Sequence, residues 1–284
     1  MPCYARHFLF CTLMSFICHN GHFLPAEAPH LSVSTPAYKW GEGLFETMKV
    51  IEGRILLQDF HFERLFSSLP VLEMKLDVDA GKLADFIIAL CNKNNCLHAA
   101  RVRLSVYRQS EQATGWVIET SALPPEHGIW NEQHWQVGIY PHANKTRDAF
   151  SHLKTANYLS YAMAGRYARS MNWGEALVLN SEGHICDGSK SNIFILLHGK
   201  IITPSIDQGC INGVMRRYIF ENASQLSFPL IESNLTIEML RSAEEVFLTN
   251  AIIGIQSVHH FEGKLYQQNE TRKIYDMLLS TNSR

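Results

Sequence analysis

The chain predicts an α+β protein made of two α/β domains with mostly antiparallel sheets. Its 284 residues exceed one typical core of roughly 100–150 residues, yet leave room for only two modest units. Short apolar runs flank tight-turn pairs such as Asn20-Gly21 and Glu52-Gly53, which join neighbouring antiparallel strands. Amphipathic helical stretches are mixed among these strands without the regular strand, helix, strand repeat of a parallel sheet.

In the first domain, 15–121, the pattern from Ser15 reads as a strand, a turn at Asn20-Gly21 and a second strand. GLFETMKV alternates as a strand and returns through Glu52-Gly53 into RILL. DFHFERLFSSLP carries Phe62, Leu65, Phe66 and Leu69 at helical spacing, with Asp59 as the expected N-cap and Pro70 as the stop. KLADFIIALCNKNN reads as a second helix. RVRLSVYR and GWVIETSAL read as strands, the first with Arg101, Arg103 and Tyr107 on one face.

The tandem Pro124-Pro125 and the following Gly128 mark residues 122–131 as a linker. The second domain, 132–284, opens with the strand WQVGIYPH. A helix of about four turns is expected after Lys154, stopping at Gly174. EALVLN, GHICDG, NIFILL and KIITP read as short strands, followed by a helix over about 213–225. EEVFLTN and VHHFEGKLY are later strands, and RKIYDMLL is a closing helix.

With 46% hydrophobic and 18% charged residues, the chain has ample apolar area for two cores and no compositional mark of disorder. A formal net charge of −2 supplies no cationic excess for a nucleic-acid backbone. The seven cysteines are odd in number, scattered and without C-x-x-C pairs, which argues against a disulfide framework or a metal cage and fits a reduced, cytoplasmic setting. FLFCTLMSFIC resembles the apolar part of a signal peptide in length. It lacks a small-residue cleavage site and is too short to span a bilayer, so residues 1–14 are set apart as an N-terminal extension and no membrane role is expected.

Chemistry concentrates in two stretches. HLKTANYLSYAMAGRYA places Lys154 ahead of a helix, and EALVLNSEGHICDGSKSNIF places Asp187 just past a hairpin turn. A lysine that forms an imine and an acid that holds a ring nitrogen are two of the three handles an enzyme needs on pyridoxal phosphate. Taken alone, Lys154 reads as an ordinary solvated lysine, Asp187 as a turn aspartate before Gly188, and Arg64 as a surface arginine on an amphipathic helix.

Five ordered blocks change that weighting. KTANYLSYAMAGRYA, GEGLFETMKVIEGRILLQDFHFERL, EALVLNSEGHICDGSKSNIF, ITPSIDQGCINGVMRR and AEEVFLTNAIIGIQSV together resemble the class IV, or fold-type IV, pyridoxal-phosphate-dependent aminotransferases. That family includes branched-chain and D-amino acid aminotransferases and 4-amino-4-deoxychorismate lyase. The resemblance implies a cofactor, pyridoxal 5'-phosphate, in the cleft between the two domains, and a homodimer.

It also implies roles. Lys154 is the imine-forming lysine and, once displaced, the base that moves a proton, which needs its pKa lowered. Arg64 holds the cofactor phosphate, helped by the helix start at Gly213, Val214 and Met215 and by the backbone of Ala251 and Ile252. Met215 stands where the family often has a hydroxyl, and Thr249 and Asn250 either compensate or cap a strand end. Asp187 stands where the family usually has glutamate, and is shorter by about 1.5 Å; it takes the pyridine nitrogen. Tyr158 either reaches the same site or packs. Arg103 and Arg108 match positions of carboxylate-binding arginines, but five residues apart they face opposite sides of a strand. Arg108 is the preferred substrate contact, with Tyr38 and Trp40 as aromatic walls.

The activity so implied is amino transfer between an amino acid and a 2-oxo acid. The same machinery fits a second reading, elimination of pyruvate from 4-amino-4-deoxychorismate to leave 4-aminobenzoate, since LTNAIIGIQSV looks more like that branch. A third is a homologue that keeps the fold and has lost catalysis. No metal site is expected.

Overall fold

The computed structural model describes residues 15–27, 31–124, 130 and 135–279. The 1–14 extension and most of the 122–131 linker lie outside the described residues.

The first sheet is antiparallel throughout. β1 (Phe16–His19) and β2 (His22–Pro25) form the expected hairpin, with positive φ at both Asn20 and Gly21, as a two-residue turn requires. A short helix, α1 (Pro36–Trp40), leads into β3 (Gly43–Ile51), and β4 (Arg54–Ile55) follows. After α2 (Gln58–Ser68) and α3 (Ala80–Lys93), β5 (Ala99–Arg108) and β6 (Thr114–Ala122) complete the order β2-β1-β6-β5-β3-β4. Residues 100, 102, 104 and 106 of β5 join Leu65 of α2 and Leu83, Ile87 and Leu90 of α3 in one core. Each fully buried Val, Leu or Ile side chain among them contributes about 1.5–3 kcal/mol. By the two-residue strand period, Arg101 and Arg103 therefore face the other side.

The second sheet has nine strands and mixed direction. Its elements are β7 (Trp135–Ile139), α4 (Leu159–Ser170), β8 (Glu175–Leu179), β9 (Ile185–Gly188), β10 (Asn192–Leu197), β11 (Lys200–Pro204), α5 (Val214–Glu221), β12 (Leu230–Ser233), α6 (Ile237–Ser242), β13 (Glu245–Asn250), β14 (Gly254–Phe261), β15 (Lys264–Leu265) and α7 (Asn269–Leu279). The order is β12-β11-β10-β13-β14-β7-β8-β9, with β15 on β14. The β11–β12, β14–β7 and β7–β8 pairs are parallel and the others antiparallel. This is the α+β architecture expected, with mostly antiparallel pairing.

Several local expectations need correction. The N-cap of α2 is Leu57 in the left-handed region, with no side-chain cap, and Asp59 lies in the first turn, where its charge still favours the helix dipole. The helix expected after Lys154 is present as α4, which starts at Leu159 and ends at Ser170, short of Gly174, and residues 154–156 run extended along β3. The helix expected to 225 ends at Glu221 and continues as a separate 3-10 turn, Ala223–Gln225. α1, β12 and α6 are elements the sequence reading did not anticipate; α1 and α6, at five and six residues, are shorter than a reliable helical period.

Candidate active site

β4 pairs only with Val50 and Ile51, which leaves the start of β3 with an unpaired edge. The Lys154 segment takes that edge: the Phe45 N–H donates to Lys154 O (3.0 Å) and the Ala156 N–H to Gly43 O (2.8 Å). Lys154 is thereby held by backbone between the two sheets. Its Nζ lies 4.5 Å from the centroid of Phe45 and 5.6 Å from that of Tyr158, with no hydrogen-bond acceptor among the described residues. The side chain is half-buried because it faces a cavity of about 400 Å³, within the roughly 300–1,000 Å³ usual for small-molecule sites. Burial, with the Arg64 and Arg103 guanidiniums, brings the amine down to about 7 against the pull of Glu46 and Asp187.

One end of the cavity is built by β3 and α2. Arg64 donates from Nε to Glu46 Oε1 (2.8 Å), from Nη2 to Glu46 Oε2 (2.6 Å) and from Nη1 to the Asn212 carbonyl (3.0 Å). The fork uses three of the five guanidinium N–H groups, and two remain for a ligand. His61 donates from Nδ1 to Glu46 Oε2 (2.6 Å). Burial alone would raise the Glu46 carboxyl, but Arg64 and His61 hold it at about 2.

Beside Arg64, α5 presents an uncapped N-terminus at Val214 and Met215. Gly213 is needed there, because a Cβ would stand 1.8 Å from Asn192 Oδ1. Two expected donors are spent elsewhere, since the Gly213 N–H goes to Ile211 O (2.8 Å) and the Ile252 N–H to Asn250 Oδ1 (2.9 Å). Ala251 lines the cavity beside them, and the buried Thr249 Oγ1, also in the lining, has no hydrogen-bond partner among the described residues.

The other end is built by β9. Val178 opposes Asp187 while Leu179 opposes Ile185, so Cys186 is the extra residue of a β-bulge. The bulge brings Asp187 to the α4 side, where Oδ2 accepts from Tyr161 Oη (2.5 Å) and the Ile211 N–H (2.9 Å), and Oδ1 accepts from Asn192 Nδ2 (2.9 Å). Burial raises this carboxyl above the usual range, although Lys145 and the three hydrogen bonds oppose it. Tyr158 both lines the cavity and packs, stacking on Tyr161 at 4.5 Å and donating to Ser189 O (3.3 Å).

Arg103 lines the same cavity, its Cζ 3.8 Å from the Phe45 centroid and its Nε donating to Ser105 Oγ (3.2 Å). Arg108, the arginine preferred from the sequence, is not brought to this cavity. On the opposite strand face it donates to Glu42 (2.6 Å) and to Leu72 O (2.5 Å), in a neighbouring pocket that also holds Trp40. Tyr38 is 69% exposed and outside the cavity. Glu46, Asn192 and Tyr161 were not assigned roles by the sequence reading, though each lies within a recognised block.

The residues present fit pyridoxal phosphate. The two spare guanidinium N–H groups, the uncapped helix start and the orphaned Thr249 hydroxyl suit a phosphate, while Lys154 and Asp187 suit an aldehyde and a ring nitrogen. Among the described residues there is no cluster able to hold a metal ion, and no helix is long and apolar enough to cross a membrane.

Comparison with known proteins agrees. The chain is 28% identical over 247 residues to an aminodeoxychorismate lyase from Bacillus subtilis, covering 83% of each protein. It is 24% identical over 254 residues to a D-alanine aminotransferase from Listeria monocytogenes, covering 86% of each. The solved branched-chain aminotransferase of the thermophilic archaeon Thermoproteus uzoniensis, with norvaline, has the same fold, at a TM-score of 0.81, 23% identity and 93% coverage of both chains. Residues 43–261 match the model of amino-transferase class IV, and the chain therefore belongs to that family, whose members use pyridoxal phosphate.

Proposed function

We propose that the protein is a pyridoxal-phosphate-dependent aminotransferase that moves an amino group between an amino acid and a 2-oxo acid. The observation that carries this reading is a lysine brought down to about 7, facing Arg64 and Asp187 across one cavity. When bound, the cofactor supplies an aldehyde to exchange amines and a ring to accept electrons. In this reading Arg64 and the N–H groups of Val214 and Met215 bind the phosphate, with Thr249 replacing the missing hydroxyl at Met215. Asp187 Oδ1, which accepts one hydrogen bond where Oδ2 accepts two, receives the ring N–H. Lys154 is in good part neutral near pH 7, which suits it first as nucleophile and then as the base at the substrate Cα. Arg103 takes the substrate carboxylate.

A second reading, elimination of pyruvate from 4-amino-4-deoxychorismate, is supported by the likeness to the Bacillus subtilis lyase. The same proposal includes two domains, 15–121 and 132–284, and a cytoplasmic homodimer. The buried free thiols among the described residues and the exposed Trp40, Phe150 and Leu159 around the second pocket fit that assembly.

Borohydride treatment of the cofactor-loaded protein should leave a pyridoxyl group on Lys154, found by peptide mapping; an unlabelled Lys154 overturns the reading. Conversion of the bound cofactor to its amine form by an amino acid, without pyruvate release, marks transfer. Release of pyruvate and 4-aminobenzoate from 4-amino-4-deoxychorismate marks the lyase.

A further inference from the structure

Lys145 lies behind Asp187, outside the cavity lining, in the pocket on the far side of Tyr161. Its side chain is only 12% exposed. The Lys145 N–H donates to Leu179 O at the end of β8 (2.8 Å), which fixes the start of the chain's turn toward Lys154. Within that turn Ser151 Oγ lies 2.8 Å from both Thr146 O and Asp148 Oδ1, giving its one proton to either, and accepts from the Asp148 N–H (3.0 Å), so the loop around the ammonium is braced by its own side chains. Lys145 Nζ donates to Ser151 O (2.7 Å) and to Tyr161 Oη (2.5 Å), and stands 3.6 Å from Asp187 Oδ2.

The direction of the chain of bonds is fixed by chemistry. An ammonium only donates, so the Tyr161 oxygen accepts from Lys145 and its single proton goes to Asp187 Oδ2 (2.5 Å). Oδ2 also takes the Ile211 N–H, whereas Oδ1 takes only Asn192 Nδ2. Asp187 is the only carboxylate within ion-pair distance of Lys145 among the described residues. Burying an ammonium costs desolvation that an apolar residue of similar length avoids, and here the charge is aimed at one acid.

We propose that Lys145, acting through the Tyr161 hydroxyl, is a positioning residue that holds Asp187 as the anion with Oδ1 turned to the cavity, and so keeps the ring nitrogen of the bound cofactor protonated. The proposal rests on the reading of Asp187 as the partner of that nitrogen. Attraction of Lys145 to the nearer carboxylate exceeds its repulsion of the ring N–H beyond it, so the charged pair is favoured over the neutral one. Without the ammonium, the buried acid takes the proton: an O–H bond forms on the carboxyl and the ring N–H bond breaks.

The other titratable groups packed around Asp187 are Tyr158 and Tyr161 on α4, Glu175 on β8, Cys186 and Cys210, and Lys154. Burial pushes the phenols and thiols up, so they stay neutral at pH 7.5, and raises Glu175 to about 7. Lys154 is consumed by the cofactor, which leaves Lys145 as the standing positive charge beside Asp187.

The test uses full-length protein loaded with pyridoxal phosphate carrying 15N in the ring, with borohydride labelling of Lys154 as the loading check. The 15N resonance is read at pH 7.5 in wild type, Asp187→Asn, Lys145→Met and Tyr161→Phe. The expected result is a protonated ring in wild type, and a resonance in both Lys145→Met and Tyr161→Phe moved more than halfway to the Asp187→Asn value. If Asp187→Asn leaves the resonance unchanged, the reading of Asp187 fails and the proposal with it. If Asp187→Asn moves it while the other two do not, the relay alone is overturned. Tyr161→Phe keeps the aromatic stack on Tyr158 and decides the matter should Lys145→Met fail to fold.

Discussion

Two of the buried carboxylates, Glu46 in the first sheet and Asp187 in the second, are treated in opposite ways. Glu46 meets a guanidinium fork and an imidazole and is held at about 2, so its charge is fully compensated before any ligand arrives. Asp187 is met mainly by neutral donors, with one cation within ion-pair distance among the described residues, at 3.6 Å, and burial raises its pKa. A saturated carboxylate is scaffold: it aims Arg64. An undercompensated one keeps an electrostatic demand that a protonated ring nitrogen can meet.

Removing the amine between them has the largest expected effect. Lys154→Ala should abolish covalent cofactor capture and lower turnover by at least about a thousandfold, measured by borohydride labelling and by the half-reaction. The two acids should then separate by stability. Glu46→Gln leaves Arg64 buried without its partner and should lower the unfolding free energy of the cofactor-free protein by about 3–5 kcal/mol in denaturant titration. Asp187→Asn removes a carboxyl that burial raises and leaves the Lys145 ammonium its bonds to Ser151 O and Tyr161, so it should cost less stability than Glu46→Gln while removing most activity. The contrast is broken if both substitutions cost the same stability.

Acid titration sharpens the point. Displacement of Glu46 from 4.5 to about 2 corresponds to about 3 kcal/mol of native stability. That contribution is present above pH 4.5 and lost as the pH falls through about 2, so Glu46→Gln should flatten the acid limb of the unfolding curve. Arg103→Met should raise KM for carboxylate substrates roughly 10- to 100-fold, whereas Arg108→Met, which breaks a half-exposed pair with Glu42, should change it by less than about threefold. The smallest effect is a displaced profile. Cofactor capture by the cofactor-free protein should rise with pH through about 7 and level off, rather than climbing toward the 10.5 of a solvated lysine, as the neutral amine is the nucleophile.

Much of the fold was legible in the chain because it is written in local periods and turn residues. The Asn20-Gly21 hairpin, the alternation that turns Arg101 and Arg103 away from the core of β5, and the apolar face of α2 all follow from spacing alone. Short α1 and α6 carry too few residues for a period to register, and the extended path of residues 154–156 ahead of α4 depends on pairing with the open edge of β3, a long-range contact. Arg103 and Arg108 could be separated in sequence only to opposite faces; which face met the cavity depended on how the two sheets pack. Glu46 and Asn192 sit in blocks that carry the family resemblance, yet their partners lie 18 residues away at Arg64 and across the Ile211–Gly213 turn. Lys145 carries no local signal of any kind.

By itself the sequence determined the α+β class, most strands and helices and the family, and it singled out the amine, the guanidinium and the acid as candidates, since each depends on residue type and short-range order. Tertiary structure decided what those groups do to one another: the bulge at Cys186 that turns Asp187 onto α4, the fork that aims Arg64, and the Lys145 ammonium behind Tyr161. Charge interactions and desolvation depend on distance and burial, which are fixed only when segments far apart in the chain pack together.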